Sequence, residues 1–331
     1  HVVQSLMANE PKPADMSFKQ YMYENFKHDV ARGRDENRAI PHHGGLGDSA
    51  SLRVISFNVH YFRAGYSDQD LHDSTEEVMQ IVSQLNPDLC LLQEVPATLV
   101  PATQRRFSTL GYAHSVAAGS ADVHVLAPSS ASFAGERLHV MVLSKLPLVQ
   151  SEAVPMLDGF AAHAEVALSN GAPLLVYSLH LSVRCVASKR HDEVQAVIAH
   201  ARAKQAAAAG GTPLPVLIAG DFNQQNEPDY PAEEWRVIAA DMARAQLSPT
   251  DGVMRALRAS GYTPSFEAAA ITRPLPPTSA WNGAVVDYCY VNDAIGAHSR
   301  ASLAVEASYV YYTLASDHLP LVTDLRVGVW T

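Results

Sequence analysis

Apolar residues along the chain fall into short blocks with two different rhythms. Leu52-Arg53-Val54-Ile55-Ser56-Phe57 reads as a strand that stops at the carboxamide of Asn58. Val78, Ile81, Val82 and Leu85 then recur at helical spacing behind Ser74-Thr75-Glu76-Glu77, a capping box, and Pro87 marks the stop. Leu89-Cys90-Leu91-Leu92 predicts a second strand that ends in Gln93-Glu94, and a helix through Phe107 and Leu110 closes at Gly111. Residues 117–136 are rich in Ala, Ser, Gly and Pro with few periodic apolar positions, and read as a long loop. A strand from Leu138 to Leu143 follows. Ala164 to Leu168 and Pro173 to Leu181 then flank Asn170-Gly171, a hairpin signal, and the second of these strands carries His180 near its end.

An Ala-rich helix is predicted from about Ser188 to Ala208, with Val194, Val197 and Ile198 on its core face and Gly210-Gly211 after it. The run Pro215 to Ala219 leads into Gly220-Asp221-Phe222-Asn223. Alternation places Asp221 and Asn223 on one face, and Gly220 admits a close approach of the backbone. Two helical stretches, Trp235 to Ala245 and Gly252 to Ser260, precede a strand from Ala284 to Val291 that carries Asp287. The last strand, Leu319 to Val327, is preceded by Ser316-Asp317-His318. So many strands with few helices between several of them predict sheets packed face to face.

Ahead of this body the pattern weakens. Residues 1–50 are polar and mixed in charge, with a short helix from Phe18 to Arg32 and a Gly-rich end, His42-His43-Gly44-Gly45-Leu46-Gly47. The expected division is an arm and linker over 1–48 and a catalytic body over 49–331, with His42-His43 as a solvated loop pair and the arm dispensable for chemistry.

Composition adjusts this picture in three places. With 331 residues, 47% of them hydrophobic, the chain can bury a sizeable core. No apolar run reaches membrane-spanning length, so a soluble protein is expected; the chain starts at His1, and a removed signal peptide would leave no trace. Its three cysteines, Cys90, Cys185 and Cys289, lie far apart without CxxC spacing, which supports neither a disulfide framework nor a structural zinc site. Residues 51–331 carry 18 basic and 27 acidic side chains. An acidic body disfavours broad attachment to nucleic acid, and part of the acidic excess is expected if carboxylates hold a divalent cation.

Strand ends thus supply Asn58, Glu94, His180, Asp221 with Asn223, Asp287, and Asp317 with His318. Chemically these are oxygen ligands for a hard cation, an acid–base pair and neutral donors for a phosphate. The pieces Ser56-Phe57-Asn58, Leu92-Gln93-Glu94, Ser178-Leu179-His180-Leu181, Gly220-Asp221-Phe222-Asn223, Val286-Asp287-Tyr288 and Ser316-Asp317-His318-Leu319-Pro320 resemble, in this order, the motifs of the endonuclease/exonuclease/phosphatase superfamily. The resemblance spans residues 52–327. It implies a four-layer α-β-β-α sandwich of two mixed sheets with helices outside. It also implies a metal-dependent hydrolase of phosphoester bonds, with Mg²⁺ as cofactor and Mn²⁺ as substitute.

By the same resemblance Glu94, Asn58 and Asp317 are the metal residues. Asp221 positions or deprotonates the attacking water, Asn223 and His180 hold the phosphate, and Asp287 is the carboxylate partner of His318. Arg63 and Arg184, in loops leaving site strands, and Trp281, before the Asp287 strand, are candidate substrate contacts. The favoured substrate is a small, lipid or nucleotide-like phosphodiester or phosphomonoester. A DNA or RNA nuclease of the same superfamily is the alternative, and an inactive binding scaffold is disfavoured because a competent residue stands at every expected position.

Overall fold

Alternation along the first strand builds two cores at once. In β1 (Ser51–Asn58), Leu52 and Val54 point to one side and Ile55 and Phe57 to the other, and all four are buried. A strand buried on both faces needs a layer on each side. The computed structural model describes residues 18–41, 43, 51–65, 71–119, 136–169, 171–183, 187–208, 214–244, 247, 252–279, 283–292 and 301–329.

Helix α1 (Phe18–Arg38) precedes β1, and a two-stranded ribbon, β2 (Arg63–Ala64) with β3 (His72–Asp73), follows it. Helix α2 (Thr75–Leu85) leads to β4 (Leu89–Pro96), which lies parallel to β1; α3 (Val100–Thr109), β5 (His114–Gly119) and β6 (Leu138–Ser144) come next. Strands β7 (Leu148–Pro155), β8 (Phe160–Ala167) and β9 (Pro173–His180) run as a meander into α4 (Ala187–Ala207) and β10 (Val216–Asp221), which is parallel to β9. After α5 (Ala232–Arg244), α6 (Gly252–Ala259), β11 (Thr263–Pro264) and α7 (Ser265–Ala268) the chain closes with β12 (Asp287–Asn292), β13 (Ala301–Val310) and β14 (Leu321–Val329).

Two mixed six-stranded sheets result, in the orders β13-β14-β1-β4-β6-β5 and β11-β12-β10-β9-β8-β7. Between them lie Leu52, Val54, Leu91 and Val142 from the first sheet and Ala164, Val176, Leu217 and Cys289 from the second. Outside the first sheet, Val78, Ile81, Val82 and Leu85 of α2 pack on Ile55, Phe57 and Leu92; outside the second, Val194, Val197 and Ile198 of α4 and Val253 and Leu257 of α6 pack on Tyr177, Val216 and Ile218. The architecture is a four-layer α-β-β-α sandwich. No helix among the described residues is long and apolar enough to cross a membrane.

Several local readings change. The box at Ser74 does not form: the Thr75 N–H donates to Asp73 Oδ1 at 2.8 Å, while Ser74 Oγ is buried without a partner. An acidic side chain one residue earlier takes the capping role because β3 already aims it there. Strand β5 runs to Gly119, so the expected loop starts later, and its residues 120–135 lie outside the described ones. The Gly-rich 44–47, Asn170 and Gly210-Gly211 lie outside them too. Helix α1 extends to Arg38 rather than Arg32. His43 is not solvated; it is buried with Nε2 2.7 Å from Asp88 Oδ2.

Candidate active site

Register in the second sheet sets three site residues side by side. Asp221, the last residue of β10, pairs with His180 of β9 on one side and with Asp287 of β12 on the other. Gly220 permits that register: a Cβ there would sit 1.9 Å from the Leu179 carbonyl oxygen. The close approach expected at Gly220 is therefore to the neighbouring strand. Asn223 does not continue the alternation either. The strand stops at Asp221, Asn223 turns left-handed (φ 48°), its N–H donates to Asp221 Oδ1 at 2.8 Å and its Nδ2 to the Leu181 carbonyl at 3.0 Å.

The first sheet answers with Asn58 and Glu94. Glu94 is not at a strand end. β4 continues to Pro96, and Glu94 sits in a β-bulge between Leu92 and Val95 with φ 57°. A bulge re-aims a side chain, and here it turns Glu94 out of the sheet alternation. Asn58 Nδ2 donates to Glu94 Oε1 at 3.0 Å and to Asp221 Oδ2 at 3.1 Å, so one carboxamide joins the two sheets. Below it Gln93 Nε2 reaches Ser178 Oγ of the opposite sheet at 3.2 Å and Ser56 Oγ at 3.4 Å, a buried polar floor.

Asp221 stands at the centre. Its Oδ2 is 3.6 Å from His180 Nε2 and 3.7 Å from His318 Nε2, and His180 Nε2 is also 3.6 Å from Glu94 Oε1. His318 Nδ1 lies 2.8 Å from Asp287 Oδ2, and Thr278 Oγ1 accepts the Asp287 N–H at 2.9 Å. Burial alone would lower the His318 imidazole, but the charges of Asp287 and Asp221 carry it well above its ordinary range. Asp287 and Asp221 thus favour the charged form of the ring. Burial also penalises Asp317, yet His60 and His318 outweigh it and hold that carboxyl below its usual range.

The structure therefore brings together Asn58, Glu94, His180, Asp221, Asp287 and His318. Asp317 stands beside this group with its Oδ1 3.7 Å from His60 Nδ1. Arg63 lies on the ribbon, in register with Asp73, and is not part of the group. Arg184 and Trp281 lie outside the described residues. Sequence reasoning passed over His60 and Tyr61. The His60 N–H donates to Asn58 Oδ1 at 3.0 Å, and burial together with Glu94 and Asp317 pushes the Tyr61 phenol far above its usual range. With Phe62 they form three successive residues at positive φ, one residue beyond Asn58. Only their place beside Asn58 marks them in the sequence, because non-glycine left-handed backbone leaves no compositional signal.

The donors suit a divalent cation. Glu94, His180 and Asp221 each offer a ligand atom within 4.8 Å of the others, and so do Asp221, Asp287 and His318. Glu94 Oε2 and His180 Nε2 are buried without hydrogen-bond partners, which leaves an acceptor and an imidazole nitrogen for an incoming group. The carboxylate oxygens of Glu94 and Asp221 match a hard ion.

A sequence profile described as the Endonuclease/Exonuclease/phosphatase family matches residues 55–318. No curated protein matches the chain. Among solved structures, an endonuclease/exonuclease/phosphatase from Beutenbergia cavernae superposes with TM-score 0.60 at 19% identity, over 84% of this chain and 72% of that one. The human Nocturnin catalytic domain with bound sulfate gives 0.57 at 18%, over 84% and 94%, and ANGEL2, a 2′,3′-cyclic phosphatase, gives 0.58 at 13%, over 86% and 99%.

Proposed function

The chain belongs to the endonuclease/exonuclease/phosphatase family, and on that premise we propose that it is a Mg²⁺-dependent hydrolase of phosphoester bonds. The observation that carries this reading is the position of Asp221, within reach of the Glu94–His180 group on one side and of the His318–Asp287 pair on the other. Glu94 and Asn58, with Asp221 and Asp317 nearby, would hold the metal, and a bound Mg²⁺ or Mn²⁺ supplies positive charge for the phosphate oxygens.

The remaining steps belong to the side chains. Asp221 accepts a proton from a water aligned behind the phosphorus, as its oxygen attacks in line. That attack forms one P–O bond and breaks the P–O bond to the leaving alcohol, whose oxygen takes a proton from solvent while Asp221 returns its own to solvent. His318, kept charged by Asp287, donates from Nε2 to a phosphate oxygen as negative charge grows. His180 and Asn223 hold the other oxygens. Asn58 and the Gln93 floor fix the distance between the two halves of the site.

Chelator should abolish turnover and Mg²⁺ or Mn²⁺ should restore it; full turnover after exhaustive chelation would contradict the assignment. Asp221→Asn, Glu94→Ala and His318→Ala should each lower turnover by about 10² or more while the protein stays folded. The acidic body favours a small phosphoester over a long duplex. Rate at sub-saturating substrate should fall only mildly with salt, whereas a steep slope would indicate a nuclease.

A further inference from the structure

Strand β9 ends at His180, yet the next two residues have all their backbone polar groups bonded although the ladder has stopped. The Leu181 N–H donates to the Asp221 carbonyl at 2.9 Å, and the Leu181 carbonyl accepts from Asn223 Nδ2 at 3.0 Å. The Ser182 N–H donates to Glu193 Oε2 at 2.9 Å, and the Ser182 carbonyl accepts from Arg190 Nη1 at 3.1 Å. The Ser182 hydroxyl donates to Glu193 Oε1 at 2.5 Å. Two side chains from the first two turns of α4 thus hold Ser182 by its N–H, its carbonyl and its hydroxyl.

Arg190 reaches further. Its Nε donates to Gln224 Oε1 at 3.2 Å, and Gln224 directly follows Asn223. One guanidinium therefore joins the segment behind His180 to the segment behind Asn223. All three gripping groups are buried: Arg190 is 4% exposed, and Glu193 and Gln224 are each 1% exposed. Helix α4 is the crossover between the parallel strands β9 and β10, so the chain that leaves β9 turns back to fix the end it came from.

Charge gives this arrangement its meaning. Burying a guanidinium or a carboxylate is costly, and a neutral side chain could hold a turn without that penalty. Here both charged groups meet neutral partners, in charge-assisted bonds that are stronger than neutral ones and hold their geometry. We propose that Arg190 and Glu193 are positioning residues, which through Ser182 and Gln224 aim His180 and Asn223 at the phosphate. The inference rests on the phosphoesterase reading above, in which those two side chains hold phosphate oxygens. A merely structural clamp would lower Tm and leave the kinetics of the folded enzyme unchanged.

The test uses Glu193→Gln, which keeps the shape of the side chain and removes its charge, Arg190→Met, and the milder Ser182→Ala, which removes only the hydroxyl bond. The substrate is bis(para-nitrophenyl) phosphate or para-nitrophenyl phosphate, whichever the wild type hydrolyses faster, at saturating Mg²⁺. In Glu193→Gln and Arg190→Met kcat/KM should fall by at least about tenfold, and in Ser182→Ala by about fivefold. In a His180→Gln background Glu193→Gln should lower it by less than about twofold, because its effect runs through His180. Losses that multiply in the double variant, or an unchanged kcat/KM in folded Glu193→Gln, would overturn the proposal. Should Glu193→Gln fail to fold, the same cycle with Ser182→Ala decides in the same way.

A second readout is independent of turnover. In ¹⁵N-histidine NMR the His180 signals are identified by their loss in His180→Gln. Inorganic phosphate with Mg²⁺ should shift them in wild type, and the phosphate Kd read from that shift should rise by at least about fivefold in Glu193→Gln and Arg190→Met. An unmoved Kd overturns the clamp, and so does a wild-type His180 that ignores phosphate. The expected phosphate response in a protein that hydrolyses neither ester supports the clamp and removes the phosphoesterase reading.

Discussion

Asp287 shows how much one buried carboxylate decides. It is 1% exposed, it meets Asp221 in register, and its Oδ2 holds His318 at 2.8 Å. Because Asp287 is a main cause of the raised His318 pKa, its removal must let burial pull the imidazole down. Asp287→Asn should therefore move the alkaline limb of the rate–pH profile to lower pH and reduce turnover near neutrality. The measurement is kcat against pH for both proteins, and an unmoved limb would mean that His318 does not act as a cation. The sequence revealed this pair only through its motif, since 31 residues separate the two groups. It could not reveal the bulge at Glu94 or the left-handed run at His60 to Phe62, because neither a two-against-one pairing nor a positive φ outside glycine has a residue signature. The roles of Gln93 and Ser178 were hidden for a different reason: each needs the other sheet to exist before it has a partner.

At the scale of elements, strands were readable wherever apolar alternation was strong, as in β1, β9 and β10, and less so at their ends. Strand β12 begins at Asp287 because Thr278 Oγ1 takes the Val286 and Asp287 N–H groups and replaces ladder partners there. A pH-sensitive joint lies where β8, β9 and α4 meet. His163 is wholly buried, stacks on Tyr177 at 4.5 Å between ring centres and meets His200 edge-on at 5.1 Å, with Lys204 and Glu152 close by. Burial first, then the charges of His200 and Lys204, push its pKa down to about 4 from an ordinary 6.5. The unfolded chain thus binds the proton more readily between those values. Stability from this residue is fully present above pH 6.5 and drains away as pH falls towards 4, by up to roughly 3 kcal/mol. The denaturant midpoint of wild type should fall across that window, and that of His163→Phe should fall less. An unchanged acid slope in the variant would place the effect elsewhere.

Across the whole molecule, the arm before β1 is the part that sequence pattern portrayed least well. Its polar composition suggested an appendage. In the structure Val30 is fully buried, Asn37 exchanges two hydrogen bonds with the backbone of Tyr312 at 2.8 and 2.9 Å, and Pro41 and His43 serve Arg53 and Asp88. None of Asn58, Glu94, His180, Asp221, Asp287 and His318 lies in the arm. Deletion of residues 1–48 should therefore preserve turnover per folded molecule and lower Tm by at least about 5 °C, on the scale of a few degrees per kcal/mol for a domain of this size. A truncated protein that keeps its Tm would show that these contacts contribute nothing, and one that is folded but inactive would bring the arm into the chemistry. Arg53 carries a further implication, in time rather than in space. Its guanidinium is 2% exposed, β1 is flanked by β14, and the Asp324 carboxylate that takes Nε at 2.6 Å and Nη2 at 2.8 Å lies 271 residues further on. As the chain leaves the ribosome, Arg53 must therefore wait for its carboxylate until 271 further residues have been made, with only the Pro41 and Leu85 carbonyls to meet it. Until β14 is made, β1 lacks that neighbour and presents an unfinished edge.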